Sequence, residues 1–445
     1  MKILLAPNAL KGSCAAGAAA RALARGVRRA APGAELVAVP VADGGDGLLE
    51  LALEVLGARR VPVRVTGPRF APVEATLAWV PERRLALIEM ALASGLALVP
   101  EVERNPLHAT TRGTGELIRA ALDLGAETLL VGIGGSATTD GGIGMASALG
   151  YRFLDAAGRE VPPTGAGLTA ITRIDASGAD PRLARVNIQA VCDVDNPLTG
   201  PRGAAAVYGP QKGASPDQVV LLEAGLTHLA NLVAQTLEVR ATVSLCGQEP
   251  WGEEGPWTME GALGDAAPPG EEGPPGGEER RGGKEAPGRE HALDPRCLHD
   301  RPGAGAAGGL GFGLRAFCGA RLRPGAELVL EMLDFDRHLP GADLVLTAEG
   351  RLDGQTLAGK APALVAARAR QAGIPCVVLA GSLEPDLPGL ADLGIIAALS
   401  LCPGPLSLAD AMARAEELLA AAAEQVVRIF LAGRQPPAGL RPPSP

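Results

Sequence analysis

KILLAPNALKGSCAAGAAARALARGVRRAA, residues 2–31, decides the fold class, because it has the pattern of a strand, a polar loop and a helix. KILLAP predicts a buried strand, and Ser13 is a candidate N-cap for the alanine-rich helix that follows. ELVAVPV, residues 35–41, predicts a second strand, and LLELALEVLG, residues 48–57, predicts a second helix. This alternation of strands and helices is typical of an open parallel sheet.

The pattern changes after residue 60, where short apolar runs follow one another without helices between them. These runs predict short strands joined by turns, and we interpret residues 61–244 as a second α/β domain inserted into the first. Residues 300–432 again alternate strands and helices. We therefore expect them to complete the sheet that residues 1–60 begin, as one discontinuous domain.

Two segments have compositions that disfavour a packed core. Residues 245–299 are acidic, rich in Gly and Pro and without periodicity, which predicts a disordered insert. An error in the gene model is the alternative interpretation of this segment. The Pro-rich residues 433–445 predict a flexible tail.

Composition and charge exclude several classes of protein. Of the 445 residues, 47% are hydrophobic and 20% are charged, which is typical of a soluble globular protein. The net charge of −9 argues against nucleic acid as a partner, because neutralising phosphates requires a basic surface. No signal peptide and no apolar run long enough to cross a membrane is expected. The seven scattered cysteines indicate reduced thiols and a cytoplasmic location.

Glycine, carboxylates, lysines and hydroxyls follow nearly every predicted strand. Examples are KGS at 11–13, VADGGDG at 41–47, CDVDNPL at 192–198, GPQKGA at 209–214 and EGRLD at 349–353. Because ligands of open α/β sheets bind beyond the carboxyl ends of the strands, we expect these segments to form one site. Acids, lysines and glycines with few histidines suit phosphoryl transfer, in which positioning and charge do most of the work. Within CDVDNPL, either Asp193 or Asp195 could act as a base or as a magnesium ligand.

Three motifs have competing interpretations. VADGGDG could be a hairpin turn, but the helix that follows it favours a strand-to-helix loop. VGIGGSATTDGGIG, residues 131–144, nearly matches a dinucleotide-binding fingerprint with Asp155 as the acid, although the DGG inside the loop speaks against it. GQTLAGKA, residues 354–361, has the spacing of a phosphate-binding P-loop but lacks its final hydroxyl residue. Lys360 could still hold a phosphate as a point charge.

Seven motifs in order resemble those of the bacterial type I glycerate kinases over residues 1 to about 430. They are APNALKGS, PVADGGDG, GTGELI, GIGGSATTDGGIG, DVDNPLTGPRGAAAVYGPQKGA, GAGAAGGLG and TAEGRLDGQTLAGK. The resemblance implies a flavodoxin-like parallel-sheet domain with a second α/β domain inserted, and an active site in the cleft between them. It also implies ATP- and Mg²⁺-dependent phosphorylation of D-glycerate to 2-phosphoglycerate, whereas charge and apolar content already predict no nucleic acid or membrane as partner.

The resemblance also assigns roles to individual residues. Asp193 is expected to orient or deprotonate the glycerate hydroxyl, with Lys11 and Asp43 as further catalytic residues; Asp43 could instead face magnesium. Substrate binding is expected from Ser13, Gly44, Gly45, Ser136, Thr138, Asp140 and Asn196. Nucleotide or phosphate binding is expected from Gly134, Gly135, Lys212, Gly308, Gly309, Glu349 and Lys360, and metal binding from Asp353.

Some departures from the family pattern leave alternatives open. Asn8 replaces the commoner Asp, and Ala348 replaces the commoner Gly, which would matter if that position needed a positive φ. A kinase-derived binding protein without turnover is therefore one alternative, and an NAD-dependent oxidoreductase of small hydroxy acids is another. The sequence does not decide between the 2- and 3-hydroxyl, between D- and L-glycerate, or between a monomer and a homodimer.

Overall fold

The structure is a computed structural model that describes residues 1–44, 47–243, 295–357 and 359–434. Residues 245–294 of the predicted insert and residues 435–445 of the predicted tail lie outside the described residues. The last residues assigned to the insert are ordered, which corrects that boundary. Pro295–Asp300 form a 3₁₀ helix, and the backbone N–H of Leu198 donates to the carbonyl of His299 at 2.8 Å.

The described strands and helices alternate over most of the chain. The strands are β1 (Lys2–Leu5), β2 (Glu35–Ala38), β3 (Arg59–Thr66), β4 (Pro72–Val80), β5 (Leu85–Glu89), β6 (Thr128–Gly132), β7 (Arg152–Leu154), β8 (Arg173–Asp175), β9 (Asn187–Val191), β10 (Arg321–Arg323), β11 (Leu344–Leu352), β12 (Cys376–Leu383) and β13 (Ile395–Ser400). The α-helices are α1 (Ala16–Ala30), α2 (Leu48–Val55), α3 (Ala91–Ser94), α4 (Arg112–Asp123), α5 (Ile143–Ala148), α6 (Ala204–Tyr208), α7 (Pro216–Val243), α8 (Ala306–Cys318), α9 (Gly325–Met332), α10 (Gly354–Leu357), α11 (Ala361–Gln371), α12 (Leu408–Ala413) and α13 (Ala415–Arg434).

The first sheet contains strands from both ends of the chain, as the sequence predicts. Its order is β13-β12-β11-β1-β2, and all neighbouring strands are parallel. Numbered within the sheet, this is the order 2-1-3-4-5 of flavodoxin-like folds. The predicted fold class is therefore confirmed, and the order of the strands reverses between β1 and β11.

The second sheet lies in the middle of the chain and has the order β10-β9-β6-β5-β4-β3. Strands β3, β4 and β5 pair antiparallel, whereas β5, β6, β9 and β10 are parallel. The sequence predicts that the first domain resumes at residue 300. In the structure β10 pairs with β9 of the second sheet, so the chain returns to the first sheet only after Arg323.

Helices α2, α9 and α11 lie between the two sheets and share one core with both. Buried Leu49, Val329 and Val365 from these helices pack in the same cluster as Leu4 of the first sheet and Leu87 of the second. Burying apolar side chains from both sheets against common helices fixes the sheets relative to each other. None of the helices in the described ranges is long and apolar enough to span a membrane.

Local structure departs from the sequence-based expectations at two places near the sheet edge. Helix α1 has Ala15 at its N-cap, and the Ser13 hydroxyl donates to the Leu10 carbonyl at 3.0 Å instead of capping the helix. Strand β11 continues to Leu352, so Glu349 lies within the strand and not in a loop after it. Ala348 pairs with Leu379 in this strand and does not have a positive φ, so alanine introduces no backbone strain there.

Candidate active site

Charged residues from both sheets meet at the carboxyl ends of the parallel strands. Lys11 and Asp43 follow β1 and β2, Glu349 lies near the end of β11, Lys360 precedes α11, and Asp193 follows β9. Open α/β sheets bind their ligands where the strand order reverses, which in the first sheet is the junction of β1 and β11. The structure therefore brings together five residues that the sequence singles out, and we call them the charged cluster.

Asp43 has a donor for each of its carboxylate oxygens. Oδ1 accepts a hydrogen bond from the backbone N–H of Ala361, the first residue of α11, at 3.0 Å. Oδ2 accepts one from Nδ2 of Asn8 at 3.0 Å, and Asn8 is buried. Backbone N–H groups at the start of a helix lack partners within the helix, so Asp43 also caps α11.

Asp193 lies in an exposed loop, but its carboxylate is crowded by other groups of the site. Its Oδ1 accepts a hydrogen bond of 2.8 Å from the backbone N–H of Gly325, at the start of α9. Desolvation raises the pKa of Asp193, and the charge of Asp43 adds to this, whereas the hydrogen bond from Gly325 and the charges of Lys11 and Lys360 oppose it. A carboxylate with a raised pKa is a stronger base.

Glu349 is the most deeply buried acid of the charged cluster. Thr356 donates its hydroxyl to Oε2 of Glu349 at 3.1 Å and its backbone N–H to Oδ1 of Asp353 at 3.1 Å. Burial raises the pKa of Glu349 to about 8, and the charge of Asp43 contributes in the same direction. Among the described residues, Oε1 of Glu349 has no hydrogen-bond partner.

The two lysines of the charged cluster have ammonium groups available for a ligand. Lys11 is exposed and Lys360 is half-buried. Neither ammonium group forms an ion pair or a hydrogen bond with any residue that the structure describes. An ammonium group without a partner among the described residues can bind an anionic group such as a phosphate or a carboxylate of a ligand.

Lys212 is predicted to contact phosphate, but in the structure it is buried and binds the chain itself. Its Nζ donates to Oγ of Ser136 at 2.7 Å and to the carbonyl of Thr138 at 2.6 Å. Desolvation lowers the pKa of Lys212 to about 7, against the opposing effect of Asp140. Lys212 therefore holds the glycine-rich loop after β6, and the exposed part of that loop is Gly134 and Gly135.

Asp140 is predicted to bind substrate, but it is completely buried and joins the starts of α4 and α5. It accepts hydrogen bonds from N and Oγ1 of Thr111, both at 2.8 Å, from N of Gly142 at 3.1 Å and from N of Gly144 at 3.2 Å. Desolvation raises the pKa of Asp140 against these four hydrogen bonds. Thr138 is also fully buried. Neither side chain faces solvent, so both support the loop in this structure.

Several glycines predicted to approach a ligand approach other parts of the chain instead. Gly44 has φ +88°, and a Cβ there would lie 2.4 Å from Cα of Gly325. Gly308 has φ +70°, and a Cβ there would lie 1.9 Å from the carbonyl oxygen of Thr138. Gly309 is likewise packed against Gly141. These glycines are required by chain packing, and Gly45 lies outside the described residues.

Two further predicted site residues are engaged locally. Asn196 donates from Nδ2 to the carbonyl of Arg202 at 2.7 Å and accepts from the hydroxyl of Tyr208 at 2.6 Å, so its amide organises its own loop. Asp195 pairs with exposed Arg202 at 2.7 Å. Of the two acids in CDVDNPL, only Asp193 belongs to the charged cluster.

The structure removes the dinucleotide-binding interpretation of the glycine-rich loop. Helix α5 begins only at Ile143, well after Gly132 and Gly134, so the glycines of the fingerprint do not open a helix as it requires. Asp155 lies in a tight turn, where its carboxylate binds Arg159, and not at the end of a parallel strand. In the P-loop-like segment, Ala361 offers no hydroxyl and its backbone N–H is taken by Asp43.

Three residues of the site were not singled out as site residues from sequence: Asn8, Gly325 and Thr356. Asn8 follows β1 directly, so its position beyond a strand end was an available signal. Gly325 and Thr356 act through a backbone N–H and a hydroxyl that contact distant residues. No local sequence pattern reports such contacts.

Comparison with known proteins identifies similar chains over nearly the whole length. A model of the glycerate kinase family matches residues 3–257 and 288–431. The chain is 42% identical to a glycerate kinase of Bacillus subtilis (strain 168) over 426 residues, which is 96% of this chain and 97% of the relative. It is 37% identical to glycerate 2-kinase of Escherichia coli (strain K12), covering 97% and 99% of the two chains. A crystal structure assigned to glycerate kinase 2 of Salmonella typhimurium LT2 matches with a TM-score of 0.78 and 39% identity, covering 98% of this chain and all of that one.

Proposed function

Because this chain belongs to the glycerate kinase family, we propose that it transfers the γ-phosphoryl group of ATP to the 2-hydroxyl group of D-glycerate. Kinase activity on glycerate follows from the family. ATP as the donor, the 2-hydroxyl as the acceptor and D-glycerate as the enantiomer are the finer parts of the proposal. The name of the Escherichia coli relative, glycerate 2-kinase, supports the 2-hydroxyl.

The observation that carries the proposal is the position of Asp193 beside Lys11 and Lys360, whose ammonium groups have no partner among the described residues. Phosphoryl transfer requires that an attacking hydroxyl be positioned next to a carboxylate and that charge on the phosphoryl oxygens be stabilised. Asp193, with its raised pKa, can accept the proton of the glycerate hydroxyl. Lys11 and Lys360 can bind the transferred phosphoryl group or the glycerate carboxylate as fixed positive charges.

The glycine-rich loop after β6 is proposed to complete the substrate and nucleotide site. Gly134 and Gly135 are exposed at its tip, and Ser136 is held by Lys212. The Ser136 hydroxyl accepts from Lys212 and therefore retains its own O–H for a ligand. Backbone N–H groups of a loop that is fixed in this way can bind an anion without reorganisation.

Magnesium is expected to enter with the nucleotide. No group of three or more His, Cys, Asp or Glu side chains among the described residues could hold a metal ion alone. Mg²⁺ in kinases is typically bound by one or two carboxylates together with substrate phosphates and water. The partnerless Oε1 of Glu349 and the neighbouring Asp353 fit this requirement, and the ion would neutralise charge on the phosphates.

No specific observation supports either alternative function, the binding protein without turnover or the NAD-dependent oxidoreductase. A binding protein without turnover was based on Asn8 and Ala348. Asn8 forms a hydrogen bond with Asp43, and Ala348 lies unstrained in β11. The oxidoreductase was based on a fingerprint that the structure does not contain. The cytoplasmic location and a homodimer stay predictions from sequence.

A coupled assay of ADP release tests the proposal. Purified protein with Mg²⁺, ATP and D-glycerate is expected to release ADP, and omission of glycerate or of Mg²⁺ is expected to abolish the release. L-Glycerate serves as the stereochemical control. A folded protein that releases no ADP in response to glycerate would refute the proposal.

A further inference from the structure

Asn8 is a buried amide whose orientation is fixed by the backbone around it. It is 6% exposed, and its own backbone N–H donates to the carbonyl of Ala348 at 2.8 Å. Its Oδ1 accepts the backbone N–H of Ala9 at 2.8 Å. Because a flipped amide would direct NH₂ at that N–H, Nδ2 must face Asp43, where the donor is needed.

The hydrogen bond from Asn8 completes the set of donors on Asp43. The Ala361 N–H holds Oδ1 and Asn8 Nδ2 holds Oδ2, so the carboxylate is held from the β1 loop on one side and from α11 on the other. Both contacts fix the position of the carboxylate group. An asparagine achieves this without adding a negative charge to a site that already contains three carboxylates.

We propose that Asn8 is a positioning residue for phosphoryl transfer, because it holds the charge of Asp43 at a fixed place beside Asp193. This inference rests on the proposed function. The charge of Asp43 raises the pKa of Asp193, whereas the charges of Lys11 and Lys360 lower it. If Asp43 turned away, its contribution to the raised pKa of Asp193 would be lost and Asp193 would become a weaker base.

Asn8→Leu removes the donor while keeping a side chain of similar size. We expect kcat to fall about 10- to 100-fold, with KM for ATP and for glycerate changed less than about threefold, because Asn8 is buried and its amide is bonded to Asp43 and Ala9. The acid limb of the pH–rate profile is expected to move to lower pH, since Asp193 loses the neighbouring negative charge. Asn187→Leu, at the amino end of β9 and far from the charged cluster in the sheet, is the matched control and should match the parent.

A double-mutant cycle with Asp43→Asn separates positioning from general support of the fold. If Asn8 acts through the charge of Asp43, Asn8→Leu should reduce kcat less than about twofold once that charge is absent. An equal loss in both backgrounds would overturn the inference. An unshifted acid limb in the single variant would also overturn it, and this second measurement remains available if Asp43→Asn has no measurable activity.

The parent protein separates failure of this inference from failure of the proposed function. If the parent makes no phosphoglycerate, the proposed function fails, and the role of Asn8 fails with it. If the parent is active and Asn8→Leu retains its kcat, only the inference about Asn8 fails. A fall in kcat with a shifted acid limb and a non-additive cycle would support it.

Discussion

The backbone N–H of Gly325 donates a hydrogen bond of 2.8 Å to Oδ1 of Asp193, which fixes the proposed base at the point where the chain returns to the first sheet. Gly325 is also packed against the backbone of Asp43, since a Cβ at this position would lie 1.9 Å from the Asp43 carbonyl oxygen. One residue without a side chain therefore joins the loops that carry Asp193 and Asp43. The geometry of the candidate site depends on the packing of the two sheets.

Asp193→Asn tests the proposed base directly. Asparagine keeps an oxygen that can accept the Gly325 N–H, so the loop should stay in place, but its amide cannot accept the substrate proton. We expect kcat to fall about 10²- to 10⁴-fold with little change in KM, as measured by steady-state assay with glycerate and ATP.

Asp195→Asn provides the matched control for this variant. Asp195 lies two residues further along the same loop and pairs with exposed Arg202, an ion pair that contributes little in water. It should retain the activity of the parent. Equal activity of the Asp193 variant and the parent would remove Asp193 from the role of base.

Gly325→Ala is expected to destabilise the protein. The added Cβ would meet the Asp43 carbonyl oxygen at 1.9 Å and Cγ1 of Val191 at 2.7 Å, so the loops must move apart. Overpacking of this kind costs about 1–3 kcal/mol, which urea denaturation can measure. Gly33→Ala, where a Cβ meets nothing within 4 Å, should change stability by less than about 0.5 kcal/mol. Equal stability of both variants would show that the Gly325 contact can relax.

Lys212 gives a prediction for the pH dependence of stability. Its pKa is lowered to about 7 by burial, so the folded protein binds fewer protons than the unfolded chain above that pH. Stability should therefore rise with pH through pH 7, relative to a variant without the amine. The free energy of unfolding of the parent minus that of Lys212→Met is the quantity to compare at the two pH values. We expect it to be about 2 kcal/mol more favourable to the parent at pH 8.5 than at pH 6.5. A difference independent of pH would show that Lys212 titrates normally.

Lys360→Met tests whether the Lys360 ammonium group at the start of α11 binds an anion. Methionine keeps the length of the side chain and removes its charge, so substrate binding should weaken while the fold is kept. We expect KM for ATP or for glycerate to rise about 10- to 100-fold, the range that corresponds to loss of one charge-assisted hydrogen bond. Arg185→Met, an exposed cation at another surface, is the control. Unchanged KM values for both substrates would exclude Lys360 from binding.

The order of elements in the fold could be predicted because strands and helices have local periodicity. This periodicity predicts the first strand, loop and helix, the short strands joined by turns after residue 60 and the return of the C-terminal strands to the first sheet. The place of β10 was not, because a strand of three residues carries no signal of the sheet that it joins. The sequence predicts too short a strand β11, because the polar residues near its carboxyl end lack the apolar pattern of a strand.

The candidate site could be predicted in part, for residues that follow strand ends. That rule and the family resemblance together predict the five residues of the charged cluster: Asp43, Asp193, Glu349, Lys11 and Lys360. The rule does not show whether a polar group faces a ligand or is buried against its own loop, as Asp140 and Lys212 are in the structure. It also does not distinguish close approach of backbone to a ligand from close approach of backbone to backbone, which Gly44 and Gly308 make in the structure.

The central claim is tested most directly by NMR of the product formed from D-glycerate, ATP and Mg²⁺. Proton-coupled ³¹P and ¹³C spectra distinguish phosphate on the 2-hydroxyl from phosphate on the 3-hydroxyl. We predict 2-phosphoglycerate from the parent and its near absence with Asp193→Asn. Formation of 3-phosphoglycerate would contradict the proposed acceptor group, and no phosphorylated product from a folded parent protein would contradict the proposed function itself.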